Sequence, residues 1–264
     1  GNNLSLSGMI HSASDKVAYG SGFTTTNVGN RAVRLGRMDA DTTQGQYSVA
    51  VGYQAGQTDQ GEQSIALGWA SGSDTQGSRA VAIGRNTGAT SQGAEAVAFG
   101  FRCGRVDQGV QAIAMGTDAG ESTQGTLATA VGVSAGRFSQ GVRTVAIGPF
   151  AGTTSQKDHA IAVGFRAGQV RQGEFAVAVG TDAGKTSQAD NSIVVNATGL
   201  DLENTTASSL VVKPVRYDAA HQTAMSYNAP TGEITHSENV SAVNFFGNAS
   251  HLVSTTNVAD GSYG

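Results

Sequence analysis

Ser48-Val49-Ala50-Val51-Gly52-Tyr53-Gln54-Ala55-Gly56-Gln57-Thr58-Asp59-Gln60-Gly61-Glu62-Gln63 is one copy of a 16-residue unit repeated nine times, from Ser48 to Asn191, without insertion or deletion. Let these residues be positions 1 to 16 of a frame. Position 5 is then glycine in all nine frames, from Gly52 to Gly180, and position 9 is glycine from Gly56 to Gly184. Position 13 is always glutamine: Gln60, Gln76, Gln92, Gln108, Gln124, Gln140, Gln156, Gln172 and Gln188. A short fixed period with glycines locked in phase is the signature of a solenoid, in which each repeat is one coil that buries its apolar side only by stacking on its neighbours. The expected class is all-β, a parallel β-solenoid of 16-residue coils.

Positions 1 to 4 alternate small and branched residues, as in Ala80-Val81-Ala82-Ile83 and Ala160-Ile161-Ala162-Val163. Successive side chains of a strand point to opposite faces. Positions 2 and 4, mostly Val, Ile, Leu, Phe or Met, are expected to fill the inside of the coil. The other face is alanine at position 3 throughout: Ala50, Ala66, Ala82, Ala98, Ala114, Ala130, Ala146, Ala162 and Ala178. A strand that is apolar on both faces is covered on both. The alanine face meets either the far wall of its own coil or other copies of the chain. The second is the expectation, because a 16-residue coil is narrow, and it makes these alanines the oligomer interface.

The glycines at positions 5 and 9, and usually 14, mark corners with positive φ and close backbone approach. The glutamines are expected to form a ladder of amides from coil to coil, as stacked Asn and Gln do in cross-β assemblies. Eleven frames stacked at about 4.8 Å give a rod of roughly 50 Å.

The flanking segments are less regular. Residues 1–15 lie outside the frame, with Leu4 and Leu6 alternating as in a short strand, and are expected to cover the first coil as a cap or connection. Two degenerate frames begin at Lys16 and Ala32, where Arg34 replaces the position 3 alanine, and the surroundings there are expected to be looser. The solenoid is expected over 16–195, as eleven coils plus a terminal strand. Residues 196–264 read as a hairpin and connector region that continues in a longer protein, with Asn228-Ala229-Pro230-Thr231-Gly232 as the turn. Phe101-Arg102-Cys103-Gly104 recurs 64 residues later as Phe165-Arg166-Ala167-Gly168, so a block of four coils is duplicated.

Positions 6 and 7 vary most and carry Tyr53, Trp69, Arg85, Phe101, Arg102, Phe150, Phe165 and Arg166. Exposed aromatics and arginines favour a binding surface, although they also suit packing between adjacent chains. Net charge is only −4 and 14% of residues are charged, so no basic field draws nucleic acid or a membrane surface. No apolar run of about 18 residues is available to insert in a bilayer, and no secretory signal stands at the start. The five histidines lack metal-ligand spacing, and no nucleophile elbow, phosphate loop or dinucleotide fingerprint fits its context. No catalytic, cofactor or metal residue is nominated. Cys103 reads as a small buried filler. Sequons occur at Asn3, Asn196, Asn204, Asn239 and Asn248.

The Ser-Val-Ala-Val-Gly unit with its downstream Ala-Gly, repeated over about residues 16–195, resembles the head repeats of trimeric autotransporter adhesins, the YadA-like heads. That resemblance implies a left-handed β-roll and a homotrimer. The Gln-Gly punctuation, together with Leu210–Pro214 and the Tyr227–Ile234 hairpin, is similar instead to fibre and surface proteins of tailed phages and large double-stranded DNA viruses. Together they imply an extracellular, non-enzymatic attachment fibre on a virion surface, acting as stiff spacer and binding surface. Its partners would be a cell-surface receptor or glycan and other virion or fibre proteins. A bacterial surface adhesin head is the alternative. An ice-binding solenoid is another, suggested by threonines at position 11 but interrupted by Asp74, Val106, Phe138 and Val170. A fibre segment gives no thermal hysteresis, and a clear hysteresis gap in the purified protein would move the reading to ice binding.

Overall fold

The computed structural model describes residues 10–11, 16–20, 28–37, 43–215, 224–228 and 230–237. Two units are present, Gly1–Val215 and Arg216–Gly264. The first is an all-β parallel solenoid. Each of the first eight regular frames contributes two three-residue strands, one at positions 2–4, such as Val97–Phe99, and one at positions 11–13, such as Val106–Gln108; the ninth contributes Val177–Gly180 alone. The first set stacks into a 14-stranded sheet and the second into an eight-stranded sheet. Register advances by one frame at every step: Ala98 lies on Ala82 and Ala114, and Gln108 on Gln92 and Gln124. Among the described residues of this unit only the first pairing is antiparallel, Ile10–His11 against Lys16–Val17. The expected cap residues Leu4 and Leu6 lie outside the described residues.

Two of the glycine columns are required by geometry. At position 5, φ lies between 109° and 146° from Gly20 to Gly180, and a Cβ on Gly68 would sit 2.2 Å from the Gly84 carbonyl oxygen. At position 9, Gly104 has φ +50°, and its Cβ would sit 2.7 Å from Cδ of Gln108. The glycine there is the space that the glutamine side chain occupies. Position 14 differs from expectation: its glycines keep φ out of the positive region and serve close approach only. Left-handed backbone falls instead on non-glycine residues at positions 7, 12 and 16, for example Arg102, Asp107 and Gln111 at 52°, 52° and 57°.

The inside and outside of the coil are the reverse of the expectation. Ala50, Ala66, Ala82, Ala98, Ala114, Ala130, Ala146, Ala162 and Ala178 are buried within a single chain. They pack with the position 8 residues, Cys103, Ala119, Ala135, Ala151, Ala167 and Ala183 among them. These alanines are therefore core and not an oligomer interface. The position 2 and 4 side chains point outward, with Ile161 37% exposed, Met115 42% and Phe99 51%. The physical reason is thickness. With glutamine side chains crossing from one wall toward the other, only small side chains fit beside them, alanine above all, with Ser71, Thr87 and Cys103 at position 8. Arg34 also lies inside, donating from Nη2 to the Gly56 carbonyl at 2.7 Å, and burial pushes its pKa down to about 10. The surroundings there are closed, not loose.

The glutamine at position 13 spans this thin interior. Each Nε2 donates to the position 2 carbonyl of its own coil, as Gln92 to Val81 at 2.9 Å and Gln108 to Val97 at 3.0 Å. It also donates to Oε1 of the next glutamine, from Gln76 to Gln92 at 3.0 Å, Gln92 to Gln108 at 3.1 Å and Gln156 to Gln172 at 3.0 Å. Oε1 of Gln140 finds no donor, so the link from Gln124 is open. The ladder of amide links begins at Gln60, whose Oε1 finds no donor; Gln44, one frame after a buried Val28 at the same position, donates to the Val33 carbonyl. The ladder stops at Asn204, whose Nδ2 reaches the Ser209 carbonyl at 3.3 Å within its own turn.

The stack also runs further than the frame. Ile193–Asn196 pairs in parallel with Leu210–Lys213, a step of 17 residues, so Leu210 begins a further strand of the same sheet and not a separate region. Val194 and Leu202 fill the interior of this wider last coil. In the second unit Ala224–Asn228 and Glu233–Ser237 form the expected antiparallel hairpin.

Two substitutions test this interior. Ala130→Leu overfills a completely buried site and should destabilise by at least about 1–3 kcal/mol, read as a lowered melting temperature by circular dichroism. Gln108→Leu strands the Val97 carbonyl and Oε1 of Gln124, and should cost about 1–3 kcal/mol. Parent-like melting in both variants would show the interior to be elsewhere.

Candidate functional site

Positions 6 to 10 form the turn that leaves the large sheet, and their side chains line one edge of the solenoid. Because successive coils repeat at about 4.8 Å, a residue type recurring at position 6 stacks on itself. Tyr53 and Trp69 lie ring on ring, with centroids 6.1 Å apart and planes 14° from parallel. The Arg85 guanidinium follows, 5.0 Å from the Trp69 centroid and 5.8 Å from that of Phe101. Arg37 covers the other end, 6.0 Å over Tyr53. The column is thus a continuous run of cations and rings, Arg37-Tyr53-Trp69-Arg85-Phe101, and cation–π contacts of this kind each contribute about 0.5–1 kcal/mol at exposed sites. Trp69 is 44% exposed and Phe101 38%.

At Phe101 the column meets an ion-pair cluster drawn from three coils. Arg102 lies 5.0 Å over the Phe101 ring and donates from Nε and Nη2 to Asp118 at 2.8 and 2.9 Å. Arg137 Nε donates to Glu121 at 2.6 Å, and Arg105 lies 3.6 Å from the same carboxylate. Asp118 and Glu121 are nearly buried under these guanidiniums. The hydrogen bond to Asp118 holds Arg102 above its ordinary pKa. Such a two-pronged pair is among the stronger polar contacts available to a protein.

The second group of nominated residues is separate. Phe150 meets Phe165 edge to face at 6.1 Å, and Arg166 lies 4.6 Å over Phe165 while donating to Asp182 at 2.8 Å. The duplicated block therefore repeats the Phe-Arg-Asp arrangement. Its outer pair is reversed in sign: Glu121 and Arg137 correspond to Lys185 and Asp201, joined at 2.9 Å.

All eight nominated residues thus fall on the same turn edge, in two groups. Arg37, Asp118, Glu121 and Arg137 were not nominated, yet opposite charges one frame apart were a usable signal.

Other candidates resolve into structure. Cys103 is completely buried, and burial pushes its thiol up to about 12. Asn196 and Asn204 are buried too, with Asn196 Nδ2 bonded to the carbonyls of Thr181 and Leu200 at 2.7 and 2.6 Å. The sequons at Asn3, Asn239 and Asn248 lie outside the described residues. Among the described residues no group of three His, Cys, Asp or Glu is placed to hold a metal ion.

Two stretches of the chain, residues 60–87 and 139–167, match the YadA head domain repeat family. Each covers a position 13 glutamine, a complete following coil and the turn after it. Neither the curated proteins nor the solved structures contain a match to the chain. YadA head repeats stacked as a parallel β-solenoid are the build of an adhesin- or fibre-type surface protein.

Asp118→Ala should lower stability by about 1–3 kcal/mol in denaturant titrations, because a charged hydrogen-bond acceptor is lost from a nearly buried site, whereas Glu174→Ala, at an exposed site, should stay within about 0.5 kcal/mol. Cys103 should resist thiol reagents at pH 8 until the chain unfolds, since the reactive thiolate is suppressed; labelling of the native protein at the unfolded rate would contradict the buried placement.

Proposed function

We propose that the chain is a non-enzymatic segment of a homotrimeric surface fibre, in which the outward position 2 and 4 side chains of three copies pack together. The observation that carries this is the outer face of the 14-stranded sheet. From Val17 and Tyr19 at one end to Leu210 and Val212 at the other, nearly every outward residue is aliphatic or aromatic. A monomer tolerates an exposed apolar patch of a few hundred Å², and a strip that runs the length of the solenoid exceeds it. Three copies follows the pattern of YadA-like adhesins. The expected interface thereby moves from positions 1 and 3 to positions 2 and 4.

A virion attachment fibre is the favoured setting, supported by the Gln-Gly punctuation and the hairpin at Ala224–Ser237. A bacterial adhesin head is the second, supported by the head-repeat match. In either, the fibre is extracellular, the sheet face assembles the shaft and the turn edge faces outward to a receptor.

Light scattering on the purified chain should give three copies at micromolar concentration. Ile147→Asp combined with Ile161→Asp places charges on the strip and should dissociate the assembly, while Arg143→Ala, elsewhere on the coil, leaves it intact. A stable folded monomer of the parent chain would defeat this reading.

A further inference from the structure

We propose that the edge built from Tyr53, Trp69, Arg85 and Phe101 binds an acidic saccharide, with Arg85 taking its carboxylate or sulfate group. The proposal rests on the reading of the chain as a surface fibre and names the site and ligand class that such a fibre presents. Arg85 is held between two rings, at 5.0 Å from Trp69 and 5.8 Å from Phe101. Among the described residues no hydrogen bond uses the guanidinium N–H donors of Arg85, which leaves its fork open to a planar anion. Among the described residues no carboxylate pairs with Arg85, whereas Arg79, Arg102, Arg137 and Arg166 each have one. A guanidinium flanked by a ring on each side has fewer positions open to it, and its fork offers two parallel hydrogen bonds to a planar anion.

The surroundings select the rest of the ligand. The Trp69 indole N–H and the Asn86 side-chain amide make no hydrogen bond within the described chain and lie on the same turn edge, one on each of two adjacent coils. They offer partners for hydroxyl groups beside ring edges that suit C–H surfaces. The position 6 to 10 turns of the four coils from Ser48 to Gln111 contain no Asp or Glu, and the carboxylates of the next coil on that edge, Asp118 and Glu121, are paired with Arg102 and Arg137. Arg85 is also the one arginine in these turns without a carboxylate, since Arg102 and Arg105 face Asp118 and Glu121. A single uncompensated cation fits a sparsely charged sugar. It does not fit a polyphosphate, and the net charge of −4 disfavours nucleic acid further.

The test uses the whole chain in its assembled state and three probes, sialyllactose, sulfated lactose and lactose, titrated by calorimetry or saturation-transfer NMR. At least one acidic probe should bind about tenfold or more tightly than lactose, and the better of the two assigns carboxylate or sulfate. Arg85→Ala should remove that advantage, and Arg85→Lys should restore only part of it, since lysine keeps the charge and loses the fork. Arg143→Ala, another exposed arginine without a carboxylate partner, should behave as the parent. The proposal is overturned if lactose binds as well as both acidic probes, if Arg85→Ala leaves binding unchanged, if Arg143→Ala weakens it equally, or if a polyglutamate peptide competes as well as the sugar. A monomeric parent in light scattering counts against the fibre reading, whereas an intact trimer indifferent to Arg85 counts against this site alone.

Discussion

Everything in this solenoid depends on how little space lies between the two walls of a coil. Glutamine at position 13 crosses that space, and its amide satisfies main-chain carbonyls that water cannot reach. A buried polar side chain is tolerable only when its hydrogen bonds are made, and here they are made by the coil itself and by the next coil. The remaining room accepts only small residues, alanine at position 3 and alanine, Ser71, Thr87 or Cys103 at position 8. The usual source of stability, a core of large side chains, is absent from the single chain. The large side chains stand outside, on the strip along the 14-stranded sheet.

The tight path of the backbone has its own cost. Positions 7, 12 and 16 hold non-glycine residues in the left-handed region coil after coil, and such a residue is less stable there by roughly 1 kcal/mol or more. One coil alone gathers three of these strained residues around a handful of methyl groups. The strain is offset by contacts with the coils above and below, foremost the main-chain bonds of 2.9 Å from Gly100 to Ile83 and from Val97 to Ala112 and their equivalents. Stacking is therefore what makes each coil's conformation favourable, and the behaviour expected is that of a linear array governed by nearest neighbours.

Period, the strand at positions 2–4 and the glutamine ladder were legible in the repeat, because each depends on identity at a fixed phase; the second strand, at positions 11–13, was not, because position 11 mixes Thr, Asp, Val, Ser and Phe. Which face of the first strand turned inward was not legible either. Ala98 and Phe99 are both apolar, and hydropathy alternation cannot rank them; the decision is one of volume, set by the thickness that Gln108 and Gly104 impose on the coil. The invariant glutamine was the clue, since a residue that long cannot share a narrow interior with Val and Ile. The turn edge was legible in part. Tyr53, Trp69, Arg85 and Phe101 stood out by type, but Arg37 lay in a degenerate frame. The Arg102–Asp118 and Arg137–Glu121 pairs become visible only when charges are compared one frame apart. The 17-residue step to Leu210 left no periodic trace, because a single insertion breaks the phase by which every other coil is recognised.

The ladder also has a direction. Every link runs from Nε2 of one glutamine to Oε1 of the next toward the C-terminus. A coil with both links made, such as that of Gln92 or Gln108, thus accepts from behind and donates ahead, and a block of such coils inserted among its like leaves those amides matched. That makes the middle of the array extensible, in keeping with the four-coil block that recurs at a 64-residue distance. The two ends are not interchangeable with the middle. Val28 gives Gln44 no amide to accept from, and Asn204 turns its own amide back into its loop. A lineage of such chains can therefore change the length of the rod by copying interior coils, while the sequences that open and close it stay singular.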